Sequence, residues 1–461
     1  MASLRAPWLP AAEVLFSPRI PFLNPPAMRT TSLLVALSLF TAAVRAEDKP
    51  RPLMRDFMGL CAHTVQFQPA LYAPVTRLVR DYHPIDWDFG SDTGYALKLP
   101  MARNGVDWTQ VYGSWAKAGY RTEASLMFDN LQPDAWKDLP RDAFAYGKAF
   151  ASAFGPSAKV PLIEAAEIGN EPGKYDDATY RKLFEAMAGG LRAGDPKLRI
   201  ATCAANLGKS GRYSKSVDCL AGLEALYDIV NIHMYAEITG WPTWQRSCPE
   251  DPKIGFLKDL GHVLTWRREH APDKEVWLTE FGWDATAKPA PSTGDFAKWV
   301  GSTEREQAMW IVRGYLVLCA AGLDRAYLYF FNDDDTPHLH GSSGLTRHFV
   351  PKPAFHAVAH LQKTLGAYRL TKVLREDAAQ GYVYEFTNGD DAKKRVLAVW
   401  KPAGPPVKTT LPIGAAKVLR AERTPLAAGD APRVEVQSAS GGFEVEAGEL
   451  PVFVWLGGAT F

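Results

Sequence analysis

The chain has 461 residues, 47% of them hydrophobic, with 52 Lys and Arg against 51 Asp and Glu. That length calls for two or three domains of about 150 residues, or one large barrel with an appendage. Balanced charge offers no basic face for nucleic acid and no polyanionic disorder, and the apolar content builds a core without disulfides or metal.

Residues 1–46 read as a targeting region. Met28-Arg29 gives a positive start, Leu33–Phe40 an apolar run, and Val44-Arg45-Ala46 a small-x-small cleavage pattern. The apolar run is too short to span a bilayer, which needs about 20 residues. Residues 1–27 hold Pro7, Pro10, Pro18, Pro21, Pro25 and Pro26 and fit neither leader nor domain, so Met28 is a candidate start. The expectation is a secreted or periplasmic protein, free of membrane once the leader is cut.

From residue 53 to about 365, short apolar runs alternate with helical patterns. The predicted strands are Phe57–Val65, Leu78–Tyr82, Thr122–Phe128, Ile163–Asn170, Leu198–Ala204, Ile229–Tyr235, Val276–Phe281 and Arg325–Phe331. Predicted helices include Trp108–Ala118, Asp177–Arg192, Ile254–His270 and Thr303–Ala321, the last with an i, i+3/4 apolar repeat and early acidic residues. Eight strands with interleaved helices predict an α/β fold, a (β/α)8 TIM barrel over residues 47–366. A doubly wound open sheet competes, but no Gly-x-Gly-x-x-Gly follows the first strand. Ala354–Leu365 reads as a last helix. Beyond it lie Gly381–Thr387, Val396–Lys401, Val407–Leu411, Val434–Val436, Gly442–Ala447 and Val452–Trp455, which predict an antiparallel β-sandwich over 367–461.

The cysteines are Cys61, Cys203, Cys219, Cys248 and Cys319, with no Cys-x-x-Cys pair. Cys203 and Cys219 are the nearest candidates for a bridge. Burial as small apolar side chains is the competing reading.

In such a barrel, reactive groups gather at the C-terminal strand ends. Strand four ends Glu167-Ile168-Gly169-Asn170-Glu171-Pro172, and strand seven ends Thr279-Glu280-Phe281-Gly282-Trp283. Two carboxyls aimed at one cleft suit glycoside hydrolysis, one protonating the leaving oxygen and the other attacking the anomeric carbon. These motifs resemble the clan of barrel glycoside hydrolases with catalytic glutamates on strands four and seven. The sandwich is similar to that of family 39. The resemblance implies Glu171 as acid/base, Glu280 as nucleophile and Asn170 as a partner of the sugar 2-hydroxyl, with no cofactor and a carbohydrate as the partner. It also implies Arg80 and Tyr235, with His233 beside it, as contacts of the nucleophile. Strand eight departs from the clan's tryptophan floor, and Tyr329 or Phe331 would supply the flat face.

Further rim candidates are His63, His83, Trp87, Asp88, Asp129 and Asn130. Trp241, Trp244 and Trp283 are candidates for stacking on sugar, with packing an equal reading. The acidic loop Asn332–Asp335, followed by His338 and His340, reads as a polar subsite centred on Asp333, as a metal site, or as a solvated loop. Arg347 and His348 are candidates to meet an acidic sugar. The competing functions are a glycan-binding barrel without turnover and a metal-dependent hydrolase.

Overall fold

The computed structural model describes residues 50–457 apart from 415, 440 and 441. The expected leader, residues 1–46, lies outside the described residues. Eight parallel strands close into a barrel: β1 Met58–Ala62, β2 Leu78–Pro84, β3 Arg121–Met127, β4 Ala165–Ile168, β5 Arg199–Ala201, β6 Ile229–His233, β7 Glu275–Phe281 and β8 Arg325–Leu328. Each falls on a predicted run. The long helices around them are α1 Trp108–Lys117, α2 Leu139–Phe154, α3 Asp177–Gly194, α4 Phe256–His270, α5 Glu304–Ala321 and α6 Pro353–Leu365.

Local chemistry sets the helix ends. Asp107, Asp138 and Asp176 each accept a first-turn backbone N–H as N-cap. Thr303 and Glu306 form a capping box at α5, and Gly322 ends that helix in the left-handed region at φ 113°.

Eight further strands follow: β9 Tyr368–Asp377, β10 Gly381–Asn388, β11 Arg395–Trp400, β12 Val407–Leu411, β13 Lys417–Arg423, β14 Val436–Ala439, β15 Gly442–Ala447 and β16 Val452–Gly457. They form a five-stranded sheet ordered β9-β10-β11-β16-β13 and a three-stranded sheet ordered β12-β15-β14. Alternation gives the larger sheet two apolar faces. Tyr384, Phe386, Val396, Ala398, Trp400 and Phe453 join the barrel core. Val383, Leu397, Val399, Val452 and Val454 pack with Leu411 and Val445 of the smaller sheet.

A buried ion pair helps fix the two parts together. Arg313 on α5 meets Glu250 at 2.6 Å with both side chains fully buried; it donates to the Pro402 carbonyl, and Trp400 donates to Glu250. All five cysteines are free, so Cys203 and Cys219, the nearest candidates for a bridge, do not form one. Cys203 lies buried among apolar neighbours, and Cys219 donates instead to the Asp177 carbonyl. Among the described residues no helix is long and apolar enough to cross a membrane.

Candidate active site

Strand alternation decides which side chains reach the barrel mouth. On β2, Asp81 and His83 turn outward. Asp81 accepts from the Thr64 amide and the Tyr112 hydroxyl, and His83 bonds Asp88 at 2.9 Å and Tyr112 at 2.7 Å. Trp87 stacks on Trp108 beside them, so His83, Asp88 and Trp87 serve packing. Arg80 and Tyr82 turn inward. Arg80 donates to both oxygens of Glu167 at 2.9 Å, to Asn170 Oδ1 at 2.8 Å and to Glu280 Oε1 at 3.1 Å. One guanidinium therefore fixes the ends of β4 and β7 together.

Glu280 reaches the mouth through an irregularity in β7. Leu278 and Glu280 oppose the consecutive β6 residues Ile232 and His233, so Thr279 is skipped. On the other side, Leu278 and Phe281 oppose Ala326 and Leu328, again with one residue extra on β7. This bulge lets Thr279 and Glu280, neighbours in sequence, both face the site. Thr279 donates its hydroxyl to Asn231 Oδ1 and stands 3.1 Å from His233 Nε2. With its proton spent on Asn231, the Thr279 oxygen accepts from His233 Nε2–H. His233 Nδ1 then faces Glu171 Oε1 at 3.0 Å, and a proton is shared across that contact.

Three donors and one nearby imidazole surround the Glu280 carboxylate. Tyr82 donates to Oε1 at 2.6 Å, beside Arg80, and Tyr235 donates to Oε2 at 2.9 Å. His233 Nδ1 lies 3.6 Å from Oε2. Burial alone would raise this carboxyl, but the charges of His233 and Arg80 and the Tyr82 bond pull it down to about 2. Glu171 moves the other way. Burial holds it above its ordinary value, the Glu280 charge adds to this, and the His233 contact opposes it. Burial disfavours the charged imidazole of His233, yet Glu280 and the bond to Glu171 leave its pKa raised. Oxygens of Glu171 and Glu280 and a ring nitrogen of His233 lie within 4.8 Å of one another.

Of the expected site residues, Glu171, Glu280, Asn170, Arg80, His233, Tyr235 and Tyr329 stand together. The Tyr329 ring lies 6.2 Å from that of Tyr82 and 5.0 Å from that of His340. Phe331 turns away and packs on Tyr72 and Phe67. His63 stands beside Tyr82, and burial lowers its pKa to about 4.

Two expected binding residues are elsewhere. Trp283 is 1% exposed, packs on Phe281 and Trp310, and donates to the Ser247 carbonyl. Asp333 is buried and pairs with Lys352 at 2.9 Å and Arg347 at 3.4 Å while accepting the Asp335 and Gly344 amides. It holds the loop after β8 together and has no lone pair left for a sugar. Arg347 is likewise committed to Glu304, Asp333 and Asp335. The alternative reading of Asp333–His340 as a metal site is not assembled, because His338 stacks on Phe296 while His340 reaches Tyr235. Among the described residues the one group close enough to hold a metal ion is Glu171, His233 and Glu280.

Sequence reasoning missed Tyr82 and Glu167. Both carried an available signal. Tyr82 is two residues after Arg80 on one strand, and Glu167 shares β4 with the approach to Glu171.

No family model matches the chain, and no curated protein matches it. Solved structures do. A family 39 glycoside hydrolase from the gut symbiont Bacteroides cellulosilyticus WH2 superposes with a TM-score of 0.65 at 18% identity, covering 88% of this chain and 81% of that one. A glucosidase from Croceicoccus marinus gives 0.61 at 12% identity, covering 89% and 98%. A family 51 α-L-arabinofuranosidase from Bifidobacterium longum gives 0.56 at 13% identity, covering 89% and 97%. The fold is the one these glycoside hydrolases share.

Proposed function

We propose that the chain is a retaining glycoside hydrolase acting on O-glycosidic bonds of an oligo- or polysaccharide. One observation carries this reading. Two carboxyls approach within 4.8 Å while their environments push their pKa values apart. A gap of about 5–5.5 Å leads to a covalent intermediate, whereas inversion needs about 6.5–9.5 Å to admit water.

In the first step Glu171 gives its proton to the glycosidic oxygen as the bond from that oxygen to the anomeric carbon breaks. A Glu280 oxygen forms a new bond to that carbon from the opposite face. Esterification removes the charge on Glu280 that helped keep Glu171 protonated. Glu171 then accepts a proton from water, whose oxygen attacks the anomeric carbon and frees Glu280. Arg80 and Tyr82 hold Oε1, and Tyr235 holds Oε2. Asn170, its oxygen fixed by Arg80, presents its amide N–H to the sugar. Similarity to solved glycoside hydrolases supports the class, and the Met28–Ala46 pattern supports export.

The test is release of product from a panel of aryl glycosides and polysaccharides by the wild type and Glu280→Ala. Release by the wild type alone supports the proposal. Equal release by both proteins removes it.

A further inference from the structure

The nucleophile is held by two tyrosines, and each carries an arginine on its ring face. Arg80 lies 4.6 Å from the centre of the Tyr82 ring, and Arg246 lies 4.1 Å from that of Tyr235. Arg80 also touches Glu280 directly, whereas Arg246 bonds elsewhere. Its Nη1 donates to the Gly282 carbonyl at 2.9 Å and pairs with Asp284 at 3.2 Å. Its Nε and Nη2 find no oxygen or nitrogen acceptor although the residue is only 7% exposed. A buried guanidinium with unspent N–H groups is costly unless something else receives the charge. The π face of Tyr235 is that receiver.

The placement joins two strand ends. Tyr235 follows β6, and Gly282 and Asp284 follow Glu280 on β7. Resting on the proposed hydrolase reading, we infer that Arg246 is a positioning residue for the nucleophile. It locks Tyr235 against Glu280 Oε2 and polarises the phenol toward donation. A cation over the ring draws electron density from the hydroxyl, which strengthens its bond to a carboxylate. Asp284 offsets the charge of Arg246, and Glu237 and His340 lie near it. Facing Glu280 itself are Arg80, Tyr82, Tyr235, His233 and Glu171, with Cys61 and Tyr329 held uncharged by burial; burial lowers His63 and His340 to about 4, so both are neutral at neutral pH and charged at the acid limb. None of them substitutes for Arg246, because none lies behind Tyr235 while bonded to the β7 end.

The test is a double-mutant cycle over Arg246→Met and Tyr235→Phe, read as kcat/KM against pH on an aryl glycoside that the wild type cleaves. Arg246→Met should move the acid limb up by about half a unit or more, the size of a buried cation–π contact. In the Tyr235→Phe background it should move the limb no further. Arg246→Lys, which keeps the cation, should restore part of the shift. An unmoved limb, or shifts that simply add, would overturn the inference and leave Arg246 a packing residue. Thermal melts identify a variant that has merely unfolded. If the wild type cleaves no glycoside in the panel, it is the hydrolase reading that fails, and the cycle moves to Glu280 itself. Its carboxyl carbon is then followed by NMR in the same four proteins, with the same two outcomes.

Discussion

Tyr82→Phe removes one hydroxyl and nothing else. The lost bond, 2.6 Å to Glu280 Oε1, is the shortest that the Glu280 carboxylate accepts. A hydrogen bond to a charged group contributes about 1.5–3 kcal/mol, and one pKa unit corresponds to about 1.36 kcal/mol. The Glu280 carboxyl should therefore rise from about 2 by roughly one to two units. The sign follows from which form the bond favours. Tyr82 stabilises the ionised carboxylate, so its loss makes protonation easier and moves the acid limb of activity upward. At neutral pH Glu280 stays ionised in the variant, so kcat/KM should fall less than tenfold there. In the proposed reaction Glu280 surrenders its charge as it bonds to the sugar, so the Tyr82 bond would weaken toward the transition state and its removal would cost little in rate. The assay is kcat/KM on one aryl glycoside from pH 2.5 to 8, with a thermal melt to show that the fold holds. A large loss at every pH with an unmoved limb would be the opposite result. It would mean that Tyr82 contacts substrate and does not tune the nucleophile.

Further outcomes follow from the same geometry. Glu171→Ala should slow cleavage of glycosides with poor leaving groups far more than that of dinitrophenyl glycosides; equal losses would remove the acid role. Asp333→Asn should lower the melting temperature, because Lys352 loses its buried partner, while KM stays within twofold; a raised KM with an unchanged melt would restore Asp333 to the binding site. Glu250→Gln leaves Arg313 charged and unpaired where barrel meets sandwich, and urea unfolding should show about 3–5 kcal/mol lost; a change below 1 kcal/mol would show that the pair contributes little.

Much of the site was legible because strands alternate. Spacing put His233 and Tyr235 on one side of their strand, while the resemblance to the hydrolase clan supplied Arg80 and the contact with Glu280. The β7 bulge could not be read, since nothing in Thr279-Glu280-Phe281 marks the extra residue that brings both Thr279 and Glu280 to the site. Asp333 misled because an acidic loop reads as solvated, while its partners Arg347 and Lys352 stand 14 and 19 residues further on. The two sandwich strands missed, β9 and β13, lie at the edges of the larger sheet. They carry Arg369, Lys372, Arg375 and Glu376, and Lys417, Arg420 and Glu422, charges that keep sheet edges from pairing with other chains and that also hide the strand pattern.

The proposed mechanism turns on a covalent bond between Glu280 and the sugar. The direct measurement is mass spectrometry of the protein after incubation with 2-fluoro glycosides bearing a good leaving group, using a glycone that the wild type cleaves. One added glycosyl mass is expected on the peptide that contains Glu280, and no label on Glu280→Ala. A label on another residue, or turnover of that glycone with no label and inverted product, would contradict the proposed mechanism.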